Sequence, residues 1–175
     1  MRAFIAVDLP DNIKEEIYNI SKDLKAFGKI VEKDNIHITL AFLGDIKDSL
    51  IEDLYKRLLD NLSSFKSFSI SIDGFSSFNS RVYFFNAHSE ELNRIYASIE
   101  SILIDMKLDR YLDKEFRAHI TVLRAKKRLM LNESKLAELS SYKRSFLCSY
   151  VSIKESRLRS NGPLYTDIYK IYLKS

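Results

Sequence analysis

Histidine is scarce in this chain, with three in 175 residues, yet two of the three sit in the same tripeptide. NIHITLAFLG (35–44) contains His37-Ile38-Thr39, and AHITVLRAKK (118–127) contains His119-Ile120-Thr121. Along a β-strand, residues i and i+2 face the same way. His37 and Thr39 are therefore expected on one face and Ile38, Leu40 and Phe42 on the other. The same alternation puts His119 and Thr121 opposite Ile120 and Val122. The apolar sets are core candidates and the polar sets site candidates. Two imidazoles and two hydroxyls meeting in one cleft would suit displacement at phosphorus, which needs a base on the attacking oxygen and an acid on the leaving oxygen. Histidine titrates near neutrality and can be either. Threonine hydroxyls can donate to the non-bridging oxygens as charge develops there.

Rival chemistries find less support. A zinc site needs a third ligand, and the chain has no HExxH, no CxxC and no acidic residue two positions after either histidine, so no metal is expected. No glycine-rich phosphate loop or dinucleotide fingerprint is present, so no cofactor is expected. His88 has no partner motif and reads as a tolerated polar strand residue. Arg124, Lys126, Lys127 and Arg128 follow the second motif, and two readings stand side by side: a track for RNA phosphates, or a solvated loop. Phe4, Phe42, Tyr83 and Phe84 suit either base stacking or, as is usual for aromatics in apolar strands, the core.

These residues need strands to carry them, and the pattern supplies strands alternating with helices. Residues 2–9 are short, apolar and ended by Pro10. Residues 11–27 place Ile13, Ile17, Ile20 and Leu24 at helical spacing, with Asp11 as N-cap and Gly28 just past the end. A strand at 35–43, a helix at 49–62 and a strand at 67–75 follow. The order then repeats: strand 81–88, helix 91–106, strand 116–124, helix 133–142 and strand 145–156, with 166–174 left over as a last strand. Arg81 stands 79 residues after Arg2, Ile95-Tyr96 stand 78 after Ile17-Tyr18, and His119 stands 82 after His37. The spacing reads as a duplication, with halves of approximately 1–80 and 81–175. With four glycines and two prolines no linker separates them, so a single two-lobed domain over 1–175 is expected. The expected class is α+β, with helices outside antiparallel-rich sheets.

A chain of this length can bury roughly 70% of the surface it exposes when unfolded. Its single cysteine, Cys148, cannot form an intramolecular disulfide, and a reducing cytoplasm is the natural setting. The apolar run in MRAFIAVDLP is too short for a signal peptide or a membrane span, and no later segment comes closer, so no membrane partner is expected. The formal charge of +4 fits a basic site for a phosphate-bearing ligand on a mixed surface.

The two His-x-Thr motifs, the FLG after the first, the arginine after the second, the opening MRAFIAVDLP and the C-terminal ESRLRSNGPLY (155–165) together resemble the two-histidine (HxT) phosphoesterase superfamily, and most closely its RNA 2',3'-cyclic phosphodiesterases, also called 2'-5' RNA ligase-like proteins. The resemblance covers almost the whole chain. It implies a bilobal fold around a central groove and metal-free hydrolysis of a 2',3'-cyclic phosphate to a 2'-phosphate. The catalytic histidines would then be His37 and His119, with His119 as base on water and His37 as acid on the leaving 3'-oxygen. Thr39, Thr121 and Arg124 would bind the phosphate. Arg124 needs a bulge or a strand end to reach the groove, because strict alternation from His119 turns it to the core face. The implied partner is an RNA end or related nucleotide acting on a monomer. A 2'-5' ligase or phosphodiesterase using the same groove, and a non-catalytic RNA-end binder, are the alternatives. Two positions depart from the family pattern: Val31 stands where an aromatic residue often precedes the first motif, and Ala118 where proline often precedes the second histidine.

Overall fold

Strands and helices alternate much as the periodicity predicts. The computed structural model describes residues 1–175. It runs β1 (Arg2–Asp8), α1 (Asp11–Ser21), β2 (Gly28–Ile30), β3 (His37–Asp45), α2 (Asp48–Leu62), β4 (Phe68–Phe78) and β5 (Val82–His88), then α3 (Glu90–Asp105), β6 (His119–Ala125), α4 (Glu133–Ser141), β7 (Lys143–Cys148), β8 (Tyr150–Arg159) and β9 (Gly162–Tyr172). The class is α+β with two antiparallel sheets, ordered β3-β1-β8-β9 and β2-β6-β5-β4-β7. Each sheet contains one His-x-Thr strand beside the strand that begins its half of the sequence, β3 beside β1 and β6 beside β5.

The sheets do not coincide with the sequence halves. Beyond β1 lies β8 from the second half, and beyond β5 lies β4 from the first, so the halves exchange their third strand. The helices cover the outer faces: α1 and α4 lie over the sheet of β4 and β6, α2 over β9, and α3 against α2. One apolar cluster of 39 buried residues contains Ile5 and Ile153 from one sheet and Ile70, Phe85 and Ile120 from the other, so the two sheets share a core. No helix is long and apolar enough to cross a membrane.

Several boundaries move. The helix expected over 11–27 is α-helical only to Ser21 and tightens into a 3-10 turn over Lys22–Phe27. Pro10, not Asp11, is its N-cap: the Pro10 carbonyl accepts from the backbone N–H of Ile13 and Lys14, and Asp11 lies in the first turn. The single strand expected over 145–156 is two strands in different sheets, broken at Ser149. Periodicity could not find this break, because Phe146 and Cys148 are buried on one side of it and Val151, Ser152, Ile153 and Lys154 on the other.

Gly28 has a specific role at the edge of the second sheet. It pairs with Ala125, and a Cβ there would collide with the carbonyl oxygen of Arg124 and the backbone of Ala125 and Lys126. Only glycine lets β2 lie this close to β6. Gly28→Ala is expected to lower the unfolding free energy by about 1–3 kcal/mol, as for other overpacked sites. The urea midpoint measures this, and a variant as stable as the parent would mean that β2 shifts away freely.

Candidate active site

The site is built by two strands that follow the same irregular path. In β3 the pairing with β1 skips a residue between Thr39 and Ala41, and in β6 the pairing with β5 skips one between Thr121 and Leu123. Leu40 and Val122 are thus the extra residues of two β-bulges standing at equivalent places. At each bulge two consecutive residues are buried, Leu40-Ala41 and Val122-Leu123, and the next side chain turns out to solvent. That residue is Phe42 in one strand and Arg124 in the other. Arg124 therefore reaches the same side as His119 and Thr121 through a bulge. Phe42, expected with the core set, is instead 51% exposed on the side of His37 and Thr39, because the bulge reverses the alternation.

Each imidazole is fixed in the same manner. His37 Nδ1 lies 2.6 Å from the Asn35 carbonyl oxygen, and His119 Nδ1 lies 2.7 Å from that of Arg117. A carbonyl can only accept, so Nδ1 carries the proton in both rings, and Nε2 is the atom left for chemistry. His37 Nε2 accepts from the Thr39 hydroxyl at 2.8 Å, while His119 Nε2 has no partner within the chain. Each ring also rests on two aromatics. His37 lies 5.2 Å from Phe4 and 5.4 Å from Tyr165, and His119 lies 5.0 Å from both Phe78 and Phe84. Phe4 and Phe84 come from the neighbouring strands β1 and β5, whereas Tyr165 and Phe78 come from the hairpins β8-β9 and β4-β5. The sequence leaves Phe4 and Phe84 between stacking and core. They are buried, and their outer edges carry the histidines.

Burial drives the pKa of His37 down to about 4, with the Asn35 carbonyl pulling it back up and the nearby Lys154 ammonium lowering it further. Burial likewise lowers that of His119, opposed by the Arg117 carbonyl. Behind His37 lies a polar network that sequence reasoning missed. Asp8, directly across the ladder from His37, accepts from the Lys154 ammonium at 2.9 Å and from the hydroxyls of Tyr150 at 3.1 Å and Ser152 at 3.4 Å. Lys154 also reaches Asp167 at 2.5 Å. Burial alone would raise the Asp8 pKa, but the hydrogen bond and charge of Lys154 hold it below the ordinary value. A buried lysine within an apolar-looking strand was the available signal.

β3 and β6, one from each sheet, approach within 8 Å between Cα atoms, so the two strands that carry the motifs adjoin where the sheets meet. Arg124 makes no ion pair, and its charge is felt both by His119 of its own sheet and by Tyr165 of the other. Thr121 is half-buried beside it. Lys126, Lys127 and Arg128 are exposed beyond the end of β6, and Lys127 lies over the Phe27 ring on the β2 edge. His88 is exposed and meets the Asp73 carbonyl through Nε2. No group of three or more His, Cys, Asp or Glu side chains is placed to hold a metal ion.

Known proteins are similar to this chain in sequence and in fold. A family model described as LigT like Phosphoesterase matches residues 7–83. The RNA 2',3'-cyclic phosphodiesterase of Methanocaldococcus jannaschii is 33% identical over 96% of this chain and 98% of its own. That of Archaeoglobus fulgidus is 32% identical over 96% and 98%. Among solved structures, TT0787 of Thermus thermophilus superposes with a TM-score of 0.85 at 23% identity, and E. coli LigT complexed with ATP with 0.82 at 23%. In each case 99% of this chain and 98% of the other are covered. These two likenesses are of fold.

The depressed histidine pKa has a consequence for stability. His37 titrates near 6.5 when unfolded and near 4 when folded, so the unfolded chain binds the proton first as pH falls. The stability that neutral His37 allows is complete above pH 6.5 and is lost as pH falls towards 4. The shift would be worth about 3 kcal/mol by linkage, and solvent at the half-buried ring reduces this to on the order of 2 kcal/mol. His37→Gln is expected to flatten the urea midpoint between pH 7 and 4 by that amount. An equal slope in both proteins would show that His37 is not desolvated.

Proposed function

The chain belongs to the LigT-like phosphoesterase family, whose curated relatives are RNA 2',3'-cyclic phosphodiesterases, and from that premise we propose that it hydrolyses RNA 2',3'-cyclic phosphate ends to 2'-phosphates by a two-histidine, metal-independent mechanism. The observation that carries the reading is the pair of imidazoles on adjoining strands, each with Nδ1 tied to a carbonyl and Nε2 left for proton transfer. An attacking water gives its proton to His119 Nε2 as its oxygen bonds to phosphorus. The bond from phosphorus to the 3'-oxygen breaks, and His37 Nε2 protonates that oxygen. The product carries a 2'-phosphate and a free 3'-hydroxyl. The Thr39 hydroxyl, which lies on His37 Nε2 in the free protein, turns to a non-bridging oxygen, and Thr121 and Arg124 stabilise the growing charge. Around the imidazoles stand aromatics, hydroxyls and a guanidinium rather than a cluster of carboxylates, which supports proton transfer by side chains over a metal-bound water. Because the histidines come from different sheets, we take residues 1–175 to be one functional unit.

His37→Ala and His119→Ala are each expected to lower kcat/KM on a 2',3'-cyclic substrate by at least about 10²-fold while the fold is kept. Prolonged chelation should leave the parent rate unchanged. Loss with chelator and recovery with added zinc or manganese would make the histidines ligands. A substrate with sulfur at the 3' position, whose thiolate leaves without a proton, should restore His37→Ala far more than His119→Ala. The opposite rescue would exchange the two roles.

The pH profile follows from the same shifts. The active form carries one proton on the pair, so kcat/KM should be bell-shaped, with limbs that belong to the pair as a whole. Burial lowers both histidines, His37 to about 4 and His119 below 6.5, so both limbs should fall below pH 6.5. A rate that stays on its plateau above neutral pH would contradict single protonation of the pair.

A further inference from the structure

Arg117 stands two residues before His119, at the position that Asn35 occupies before His37. Its backbone carbonyl orients the His119 ring, but its side chain is not spent on that task. The guanidinium is exposed, and its Nε and Nη2 donate to the same acceptor, Asn86 Oδ1, at 3.1 and 2.8 Å. Asn86 is itself held through Nδ2 to the Gly74 carbonyl and pairs with His119 across the ladder. The guanidinium carbon lies 5.1 Å from the centre of the Phe84 ring and 5.7 Å from that of Phe78, the two rings that carry His119. Arg117 and His119 thus share one aromatic bed, and each lies about 5 Å from Phe84.

Two features set this arginine apart from an ordinary surface cation. Its conformation is fixed in advance by two N–H donations to one amide oxygen and by two rings, so little side-chain entropy remains to be lost on binding. Its charge is also unanswered, because the acceptor is a neutral amide and no carboxylate pairs with it. The Nη1 edge, which makes no hydrogen bond within the chain, remains free to donate. A rigid, planar, uncompensated donor beside the reacting centre is suited to a second phosphate oxygen. Arg124, beyond the bulge in the other direction along β6, already serves the reacting phosphate in the mechanism above.

We propose that Arg117 anchors the phosphodiester on the 5' side of the terminal ribose, and so makes the site prefer an RNA end over a free cyclic mononucleotide. This rests on the reading that the histidine pair acts on RNA 2',3'-cyclic ends. In such an end the 5' phosphodiester is the anion one sugar away from the reacting phosphorus, on the scale set by the shared rings. A cyclic mononucleotide with a free 5'-hydroxyl has no such group.

The test compares a dinucleotide ending in a 2',3'-cyclic phosphate with a cyclic mononucleotide bearing a 5'-hydroxyl, in the parent, Arg117→Met and Arg117→Lys proteins. The parent should favour the dinucleotide in kcat/KM, and Arg117→Met should lower that preference about tenfold. Arg117→Met should also reduce the salt slope for the dinucleotide by roughly 0.7, one phosphate contact on a single strand, whereas Arg117→Lys keeps the slope and loses part of the preference. The same ratio can be read without turnover, as Kd for the two 2'-phosphate products. A preference unchanged in Arg117→Met, even with both rates reduced, would overturn the anchor and leave Arg117 as a support for His119. A parent that binds both products with the expected preference but cleaves neither ester would overturn the hydrolytic reading and leave the anchor standing.

Discussion

The hydrogen bond from each histidine Nδ1 to the carbonyl two residues earlier is the constraint on which the site depends. It is a local bond, made to a carbonyl just before the strand that carries the ring, and it settles the tautomer before any substrate arrives. A ring free to rotate would present Nδ1 and Nε2 in turn and lose most of the benefit of being placed. Each acceptor stands immediately ahead of its strand: Asn35 closes the 3-10 turn Lys33–Asn35 before β3, and Arg117 lies two residues before the start of β6. The aromatic beds then prevent the ring from leaving that bond, and they desolvate it enough to lower its pKa. Phe4 and Phe84 come from the adjacent strands, whereas Tyr165 and Phe78 come from hairpins far away in sequence, so local geometry and long-range packing converge on the same two rings.

The paired bulges explain how two nearly identical strands serve different purposes. Through the histidine, the threonine and the two buried residues after it, β3 and β6 follow the same pattern of exposure. At the next position one presents an aromatic ring and the other a cation. Two strands with equivalent bulges thus present an apolar group from one sheet and a charge from the other. The asymmetry continues behind the rings. Lys154 and Asp8 form a buried ion pair on the His37 side, and the exposed Arg117 and neutral Asn86 stand on the His119 side.

Much of this was legible in the sequence. The repeated tripeptide singles out both histidines and both threonines as site candidates, because scarcity of histidine and an i, i+2 spacing need no tertiary information. The need for a bulge at Arg124 could be stated from alternation alone. Phe42 was misplaced because nothing in LAF, as against VLR, marks an extra residue in the strand: a phenylalanine after two apolar residues continues a core pattern, whereas an arginine there contradicts one. Lys154 and Asp8 were overlooked for a related reason. Asp8 is a single charge in an apolar stretch, Lys154 stands beside Glu155 at the start of a charged run, and only the ladder shows that β1 and β8 are neighbours. The break at Ser149 was hidden because residues on both sides of it are buried, in different sheets.

Exchange of the third strand ties the chemistry to the folding of the whole chain. β1 has β3 on one side from its own half and β8 on the other from the far end of the sequence, and β5 has β6 and β4 in the corresponding places. The first half alone would leave the β1 edge open, without Lys154 to answer Asp8 and without Tyr165 beside His37. The second half alone would lack β4, and with it Phe78 beneath His119 and the Gly74 carbonyl that holds Asn86. Each histidine therefore depends on a hairpin that the other half helps to complete. Such pairings join residues distant in sequence, so their loop-closure entropy must be met before the contacts stabilise anything. The two histidine rings, each packed by an aromatic from the other half, are therefore placed only when both sheets have formed.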